Sequence, residues 1–312
     1  MQFPFTLKKE AEFDVVGFGT NAVDFLIQVP HYPEFNSKVE LTDYDQAAGG
    51  EIATAMVGLQ RLGLRTSYVG RFGTDNAGEI GLDSLRREGV DLTYAEKIDG
   101  AQTQIAFIVI DERSGERTVI WKRDKKLHYT ETDVPLEAVR SSEVLHFTPH
   151  DARACLRLAE AARGNGTIVS IDIDNVFDDV EQLLGSVDII IASADFPRKL
   201  FGATDRPAAL LELRRRYGAG IVGLTLGETG SLLLCGNTFI ETPGFEVPGG
   251  CRDTTGAGDS FRVGLLYGLI KGESVEESAI MANAVAALNC RAVGARTALP
   301  IQEELDSLMK KL

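Results

Sequence analysis

Asp253-Thr254-Thr255-Gly256-Ala257-Gly258-Asp259-Ser260-Phe261 is the stretch whose reading decides the fold. A turn, Pro248-Gly249-Gly250, precedes it, and the helical pattern Val263 to Ile270 follows, with its stop at Gly272. A loop of small residues therefore opens a helix. The first turn of a helix carries unpaired N–H groups and the positive end of the dipole, which together suit an anion. Gly256, Ala257 and Gly258 add little bulk, so a phosphate could reach the backbone. A carboxylate at Asp259 would repel that phosphate unless it has chemistry to do. The natural task is to take the proton from a hydroxyl that attacks the phosphorus. Capping of the helix start is the competing role, and the nine residues alone leave both open.

Around this stretch the chain alternates. From Ser142 onward, strands are expected at 144–147, 168–172, 189–192 and 221–226, separated by helices at 151–164, 177–185, 195–201 and 207–217. Such alternation implies a parallel sheet covered by helices on both faces, with ligands beyond the C-terminal strand ends. His146, His150, Asp172 and Asp174 fall near those ends but lack metal-ligand clustering. His31 and His128 are isolated and read as surface residues. Thr225-Leu226-Gly227-Glu228-Thr229-Gly230 is a strand end running into a turn before a strand at 231–235. Beyond the central stretch an apolar helix spans 275–290. A polar amide amid its alanines, Asn283, suggests a place near a ligand. Gly294 to Pro300 closes the core, and 301–311 is a polar helix.

The N-terminal half differs. A strand at 13–19 runs into Gly17-Phe18-Gly19-Thr20-Asn21-Ala22, a loose dinucleotide fingerprint, but a second strand, 23–30, follows where a helix is required. That reading is rejected, and Asp24 is left at a glycine-lined strand. An alternating segment at 38–44 is expected to be a strand, then Gly49-Gly50 precedes a helix at 51–62 whose apolar face is core. A strand from Thr66 leads to Gly73–Gly78, which has P-loop spacing, yet Glu79-Ile80 replaces the required lysine and hydroxyl; a helix at 76–88 follows. Strands at 103–111 and 117–122 form a hairpin. With the strands near 25–29 and 38–44 they predict a small, mostly antiparallel sheet. The expectation is one α/β domain over 1–312 with a lid, about 25–45 and 100–124, inserted in it. Lid closure would exclude water from a reaction. Arg123, Lys125 and Lys126, just after it, read best as a solvated basic turn.

Composition narrows the partners. Of 312 residues, 44% are hydrophobic and 25% charged, ordinary for a chain with a sizeable buried core. The net charge of −14 disfavours nucleic acid and anionic membranes, and any anion site must be local. The four cysteines form no C-x-x-C pair and read as free thiols of a reducing cytoplasm. No signal peptide or spanning stretch of about 20 apolar residues is apparent.

The central stretch resembles the C-terminal motif of the ribokinase-like (PfkB) carbohydrate kinases, D-T-x-G-A-G-D. The resemblance runs from residue 14 to 300 and is nearer the ketohexokinase and sulfofructose kinase branch. It implies an ATP-dependent kinase with Mg2+, with K+ a further candidate ion. Asp259 becomes the catalytic base, and Gly256, Ala257 and Gly258 the amides that stabilise the transferring phosphoryl group. Asp24, Gly49 and Gly50 would bind the sugar. The family's asparagine four positions after the second glycine is Thr54 here, which tells against ribose. Its N-x-x-E, linked to magnesium and phosphate, is replaced by Ser193 and Phe196, with Asp195 a substitute carboxylate; the protein ligands of the metal stay unknown. Ser193, Thr225, Gly227, Gly230 and Asn283 would line the ATP site. The departures tilt toward a ketose acceptor. A nucleoside kinase and a sugar-binding sensor without catalysis remain alternatives, and a homodimer through the lid is a further expectation.

Overall fold

Apolar runs dictate the larger of two sheets. Val144-Leu145, Ile189-Ile190-Ile191 and Ile221-Val222 have no polar alternation, and all are buried, as strands covered on both faces must be. The computed structural model describes residues 1–8 and 10–310. In chain order the strands are β1 Phe13–Phe18, β2 Ala22–Val29, β3 Asp43–Gly49, β4 Thr66–Gly73, β5 Ala95–Ile98, β6 Ile105–Asp111, β7 Arg117–Lys122, β8 Ser142–Phe147, β9 Ile168–Ile173, β10 Ile189–Ser193, β11 Ile221–Thr225, β12 Ser231–Cys235 and β13 Thr238–Thr242.

The large sheet has the order β13-β12-β11-β10-β9-β8-β1-β4-β5. Its pairs from β11 to β5 are parallel, while β12 and β13 are antiparallel. Successive residues feed opposite layers. Val15, Val144 and Ile189 join a core under helices Glu51–Arg61, Ala257–Lys271 and Val275–Asn289. Val16, Leu145 and Ile190 join a second core under helices Ala152–Asn165 and Arg206–Tyr217. The chain leaves β1 toward β4 on one side and enters β8 on the other. This reversal of strand order opens a crevice beyond the C-terminal ends of β1 and its neighbours.

The second sheet, order β3-β2-β6-β7, stands apart. Two of its pairs are antiparallel and one, β2 with β6, is parallel. Its inner face places Leu26, Ala106, Ile108 and Ile110 against Ala47 and Val293. Its outer face carries Phe25 stacked on Phe107, centroids 4.9 Å apart, and on Tyr44 at 6.4 Å.

Several expected boundaries move. The strand anticipated at 38–44 is β3, Asp43–Gly49. Its small residues Ala47, Ala48 and Gly49 pair with Asp24, Val23 and Ala22, and backbone pairing does not need bulky side chains. The helix anticipated at 177–185 shrinks to Val180–Leu184, preceded by Asp179 at a φ of 62°. Strands β5 and β13 were not anticipated. The terminal helix is Gln302–Met309, and residue 311 of the expected one lies outside the described residues. Among the described residues no helix is long and apolar enough to cross a membrane.

Candidate active site

Helix Ala257–Lys271 begins at Gly256, which sits at a φ of 77°. A Cβ there would lie 2.8 Å from the Ala295 carbonyl oxygen, so glycine is required twice over. The preceding loop is wound around Asp253, which is fully buried. Its carboxylate accepts from the Thr255 amide at 2.8 Å, the Thr255 hydroxyl at 2.7 Å and the Gly294 amide at 2.8 Å. Asp259 makes no capping bond, because the cap position belongs to Gly256. The Ala257 amide donates to the Thr254 carbonyl. Among the described residues the amides of Gly256, Gly258 and Asp259 have no acceptor in the protein. The first turn thus presents open donors around one carboxylate.

Asp259 is embedded among other charges. Burial, followed by the nearby Asp172, pushes its carboxyl up to about 7. Arg262, one turn along the helix, opposes this. It bonds Asp172 at 2.5 Å, the Gly258 carbonyl at 2.9 Å and the Ile191 carbonyl at 3.0 Å. Burial also raises Asp172 to about 6. Glu51 opens helix Glu51–Arg61 and accepts from the Thr20 hydroxyl at 3.0 Å. Burial and the carboxylates of Asp259, Asp172 and Asp174 lift it well above the usual range.

Across the crevice stands Asp24, on β2 and buried. Burial raises it to about 6, and Arg296 is the largest opposing influence. A Cβ on Gly49 would fall within the Asp24 carboxylate, and one on Gly50 would strike the backbone of Asn21. Gly50 itself has a φ of 90° and caps helix Glu51–Arg61. Gly49 is therefore demanded by its close approach to Asp24, and Gly50 by its positive φ and its contact with the Asn21–Ala22 backbone. Thr54 is fully enclosed, and its hydroxyl accepts from Arg296 Nε at 3.3 Å.

On the other side, Ser193 and Thr225 are register partners at the ends of β10 and β11. Gly227 follows in an open turn with nothing near a Cβ position, whereas Gly230 is forced by the return of the chain at Thr242 and Pro243. Asn283 is buried and donates to the hydroxyls of Ser231 at 3.1 Å and Thr242 at 2.8 Å, tying its helix to β12 and β13. Asp195 is exposed and paired with Arg198 at 2.8 Å, while Phe196 is fully buried.

The family model for the pfkB family carbohydrate kinases matches residues 14–302. The chain belongs to the PfkB family. Among the curated relatives of this PfkB kinase is an Escherichia coli fructokinase, 30% identical over 83% of this chain and 91% of its own. A nucleoside kinase of Methanothermobacter thermautotrophicus is 26% identical over 92% of both chains. Among solved structures, one described as a putative ribokinase from Agrobacterium tumefaciens superposes with a TM-score of 0.88 and 25% identity, covering 96% of this chain and 98% of that one. Arabidopsis thaliana ribokinase complexed with ribose and ATP has a TM-score of 0.82 at 23% identity, covering 96% and 99%, and shares the fold.

In this PfkB kinase Asp24 and Glu51 lie close enough to Asp259 for their charges to act on one another, and Gly49 packs directly on Asp24. Asn283 and Gly230 have internal work of their own. Arg123 is not a solvated residue, because both its terminal nitrogens grip the buried Asp151, at 3.0 and 2.8 Å. His146 donates to or accepts from Ser170 in the core, and burial pushes it down to about 3. Arg262 and Arg296 escaped the sequence reading. Arg262 sits one turn from Asp259, and Arg296 lies within the segment Gly294 to Pro300, read only as closing the core. An arginine inside an apolar helical pattern, as in Phe261-Arg262-Val263, was the available signal.

Proposed function

We propose that this PfkB kinase transfers the γ-phosphoryl group of ATP to a hydroxyl of a small carbohydrate held between Asp24 and Asp259. The observation that carries the reading is the first turn of helix Ala257–Lys271, where open amides surround a carboxylate pushed up to about 7. A base near neutrality suits removal of a proton from an attacking alcohol. Asp24, Gly49, Gly50 and Thr54 form the sugar side. Asp259 accepts the hydroxyl proton. The amides of Gly256 and Gly258 lie where charge develops on the transferring group, as helix-terminal donors should. Ala257 contributes by its small size, since its amide is already engaged.

The nucleotide side comprises Ser193, Thr225, Gly227, Gly230 and Asn283, of which Gly227 offers the open backbone face. The acid-lined crevice fits Mg2+ arriving on ATP phosphates better than a caged ion, because no group of three ligating side chains is formed among the described residues. Asp172 is held there by Arg262, whereas Glu51, Asp174 and Asp259 have no arginine partner among the described residues. Bound Mg2+ would neutralise charge on the phosphates. Asp195, turned to solvent, is a poor substitute ligand.

The small sheet serves as the lid, and the two departures at Thr54 and Ser193 favour a ketose, as in the ketohexokinase branch. A reducing, cytoplasmic setting is part of the same proposal. A nucleoside acceptor is the second reading, favoured by the nucleoside kinase relative. An ATP-coupled panel of fructose, ribose, tagatose phosphate, sulfofructose, ketodeoxygluconate and adenosine separates them. Phosphorylation of adenosine alone would replace the sugar reading. Asp259→Asn is expected to keep ATP and acceptor binding by calorimetry and to lower kcat by about 10²–10⁴. Near-normal turnover in that variant would remove Asp259 from the role.

A further inference from the structure

We infer that Arg296 is the positioning residue of the acceptor side, and that Thr54 acts through it and not on the acceptor itself. The inference rests on the kinase reading above. Arg296 is buried, and its guanidinium spans three elements. Nε donates to the Thr54 hydroxyl at 3.3 Å, one terminal nitrogen to the Ser84 hydroxyl at 3.0 Å, and the other to the Gly49 carbonyl. Its own carbonyl accepts from Arg61 at 3.0 Å, and Arg61 is in turn held by Glu88 at 2.6 Å. The guanidinium is therefore fixed from both ends.

This arrangement explains the departure at Thr54. A fully buried hydroxyl that already accepts from a guanidinium is poorly placed to meet a ligand. What the helix position supplies is an anchor for Arg296. Arg296 in turn fixes the Gly49 carbonyl, and hence the Gly49–Gly50 peptide, whose tight contact with Asp24 leaves no room for a side chain. A planar fork with five donors can hold three acceptors in fixed directions, which a lysine cannot. The charge has a second effect. Asp24 is faced by Arg296, Asp253, Arg117 and Asp259, and of these Arg296 exerts the largest pull against burial. Arg296 itself faces Asp24, Tyr68, Glu88 and Asp259. Removing it leaves Asp24 with only Arg117 to oppose burial, Asp253 and Asp259.

The test is a kinetic and binding comparison of Arg296→Met, Arg296→Lys, Thr54→Val and the Thr54→Val/Arg296→Met double variant, on whichever acceptor the wild type phosphorylates. Arg296→Met should raise acceptor KM, and its Kd by calorimetry without ATP, about tenfold or more, the scale of losing a charged hydrogen bond. KM for ATP should stay within about twofold. The acid limb of kcat/KM for the acceptor should move to higher pH in Arg296→Met and return toward wild type in Arg296→Lys, which keeps the charge. Thr54→Val should cost a few-fold alone and nothing more in the double variant, because coupled residues are non-additive. Additive losses would overturn the role of Thr54. An unmoved acid limb, with KM for acceptor and for ATP rising together, would reduce Arg296 to a folding element. Failure of the wild type to phosphorylate any acceptor would instead reject the kinase reading. Should Arg296→Met not fold, Arg296→Lys and Thr54→Val carry the same comparison.

Discussion

Asp172 and Arg262 decide how strong a base Asp259 is. The three side chains form a carboxylate, guanidinium, carboxylate series in which Arg262 bonds Asp172 directly. In the proposed reaction Asp259 must be ionised to accept a proton, so turnover by the wild type should decline as pH falls below about 7, the value to which burial and Asp172 lift it. Asp172→Asn removes a like charge and leaves Arg262 uncompensated, so both changes favour the ionised base. The acid limb of the pH–rate profile should move to lower pH; a limb that stays in place would belong to another group. Glu51 offers a stability test of the same crowding. Its folded-state carboxyl lies above the ordinary range, so its contribution to stability is present below that range and is lost as pH rises through the folded value. Glu51→Gln abolishes that loss and can still accept from Thr20. Its Tm should exceed that of the wild type at pH 8 and match it near pH 4, as differential scanning would record.

Elements with strong local signals were legible, and those built by pairing alone were not. The glycine helix start could be read because Gly256 has a reason at every level: a φ of 77°, no space for a Cβ and an open amide. Gly256→Ala is thus expected to lower the unfolding free energy by about 1–3 kcal/mol, read as a lower denaturant midpoint, and to abolish most turnover. Gly258→Ala meets only the tip of Arg262 at 3.1 Å, so its midpoint should stay close to wild type while kcat falls. Equal destabilisation of both would show that backbone strain at Gly256 is not the deciding factor. β3 was displaced by several residues because Gln46-Ala47-Ala48-Gly49 carries no apolar alternation; its place is dictated by backbone pairing to β2. β13 was missed because only Ile240 and Thr242 of its five residues are buried. Arg262 and Arg296 were passed over for a related reason: what makes them matter is a set of partners distant in sequence, Asp172 and Ile191 for one, Gly49 and Ser84 for the other.

At the scale of the whole molecule, a sheet of four strands with two apolar faces has only one of them covered. Leu26, Ala106, Ile108 and Ile110 pack inward. Phe107 and Ile120, register partners on β6 and β7, point outward at 42% and 59% exposure, beside the Phe25 and Tyr44 rings. A chain carrying a net charge of −14 gains solubility without such a face, so an aromatic row left bare calls for an occupant. A second copy of the same chain is the economical one. Two such rows brought together about a twofold axis are self-complementary, and the edge strand β7 lies next to them. The proposed homodimer makes a direct prediction. Sedimentation of the wild type at micromolar concentration should give a dimer, and Ile120→Lys, which places a charge at the β7 end of the row, should give a monomer that keeps its Tm. Lid closure would then be coupled between copies, so the monomeric variant should show a raised acceptor KM with ATP affinity little changed. A wild type that sediments as a monomer throughout would leave the row without this partner.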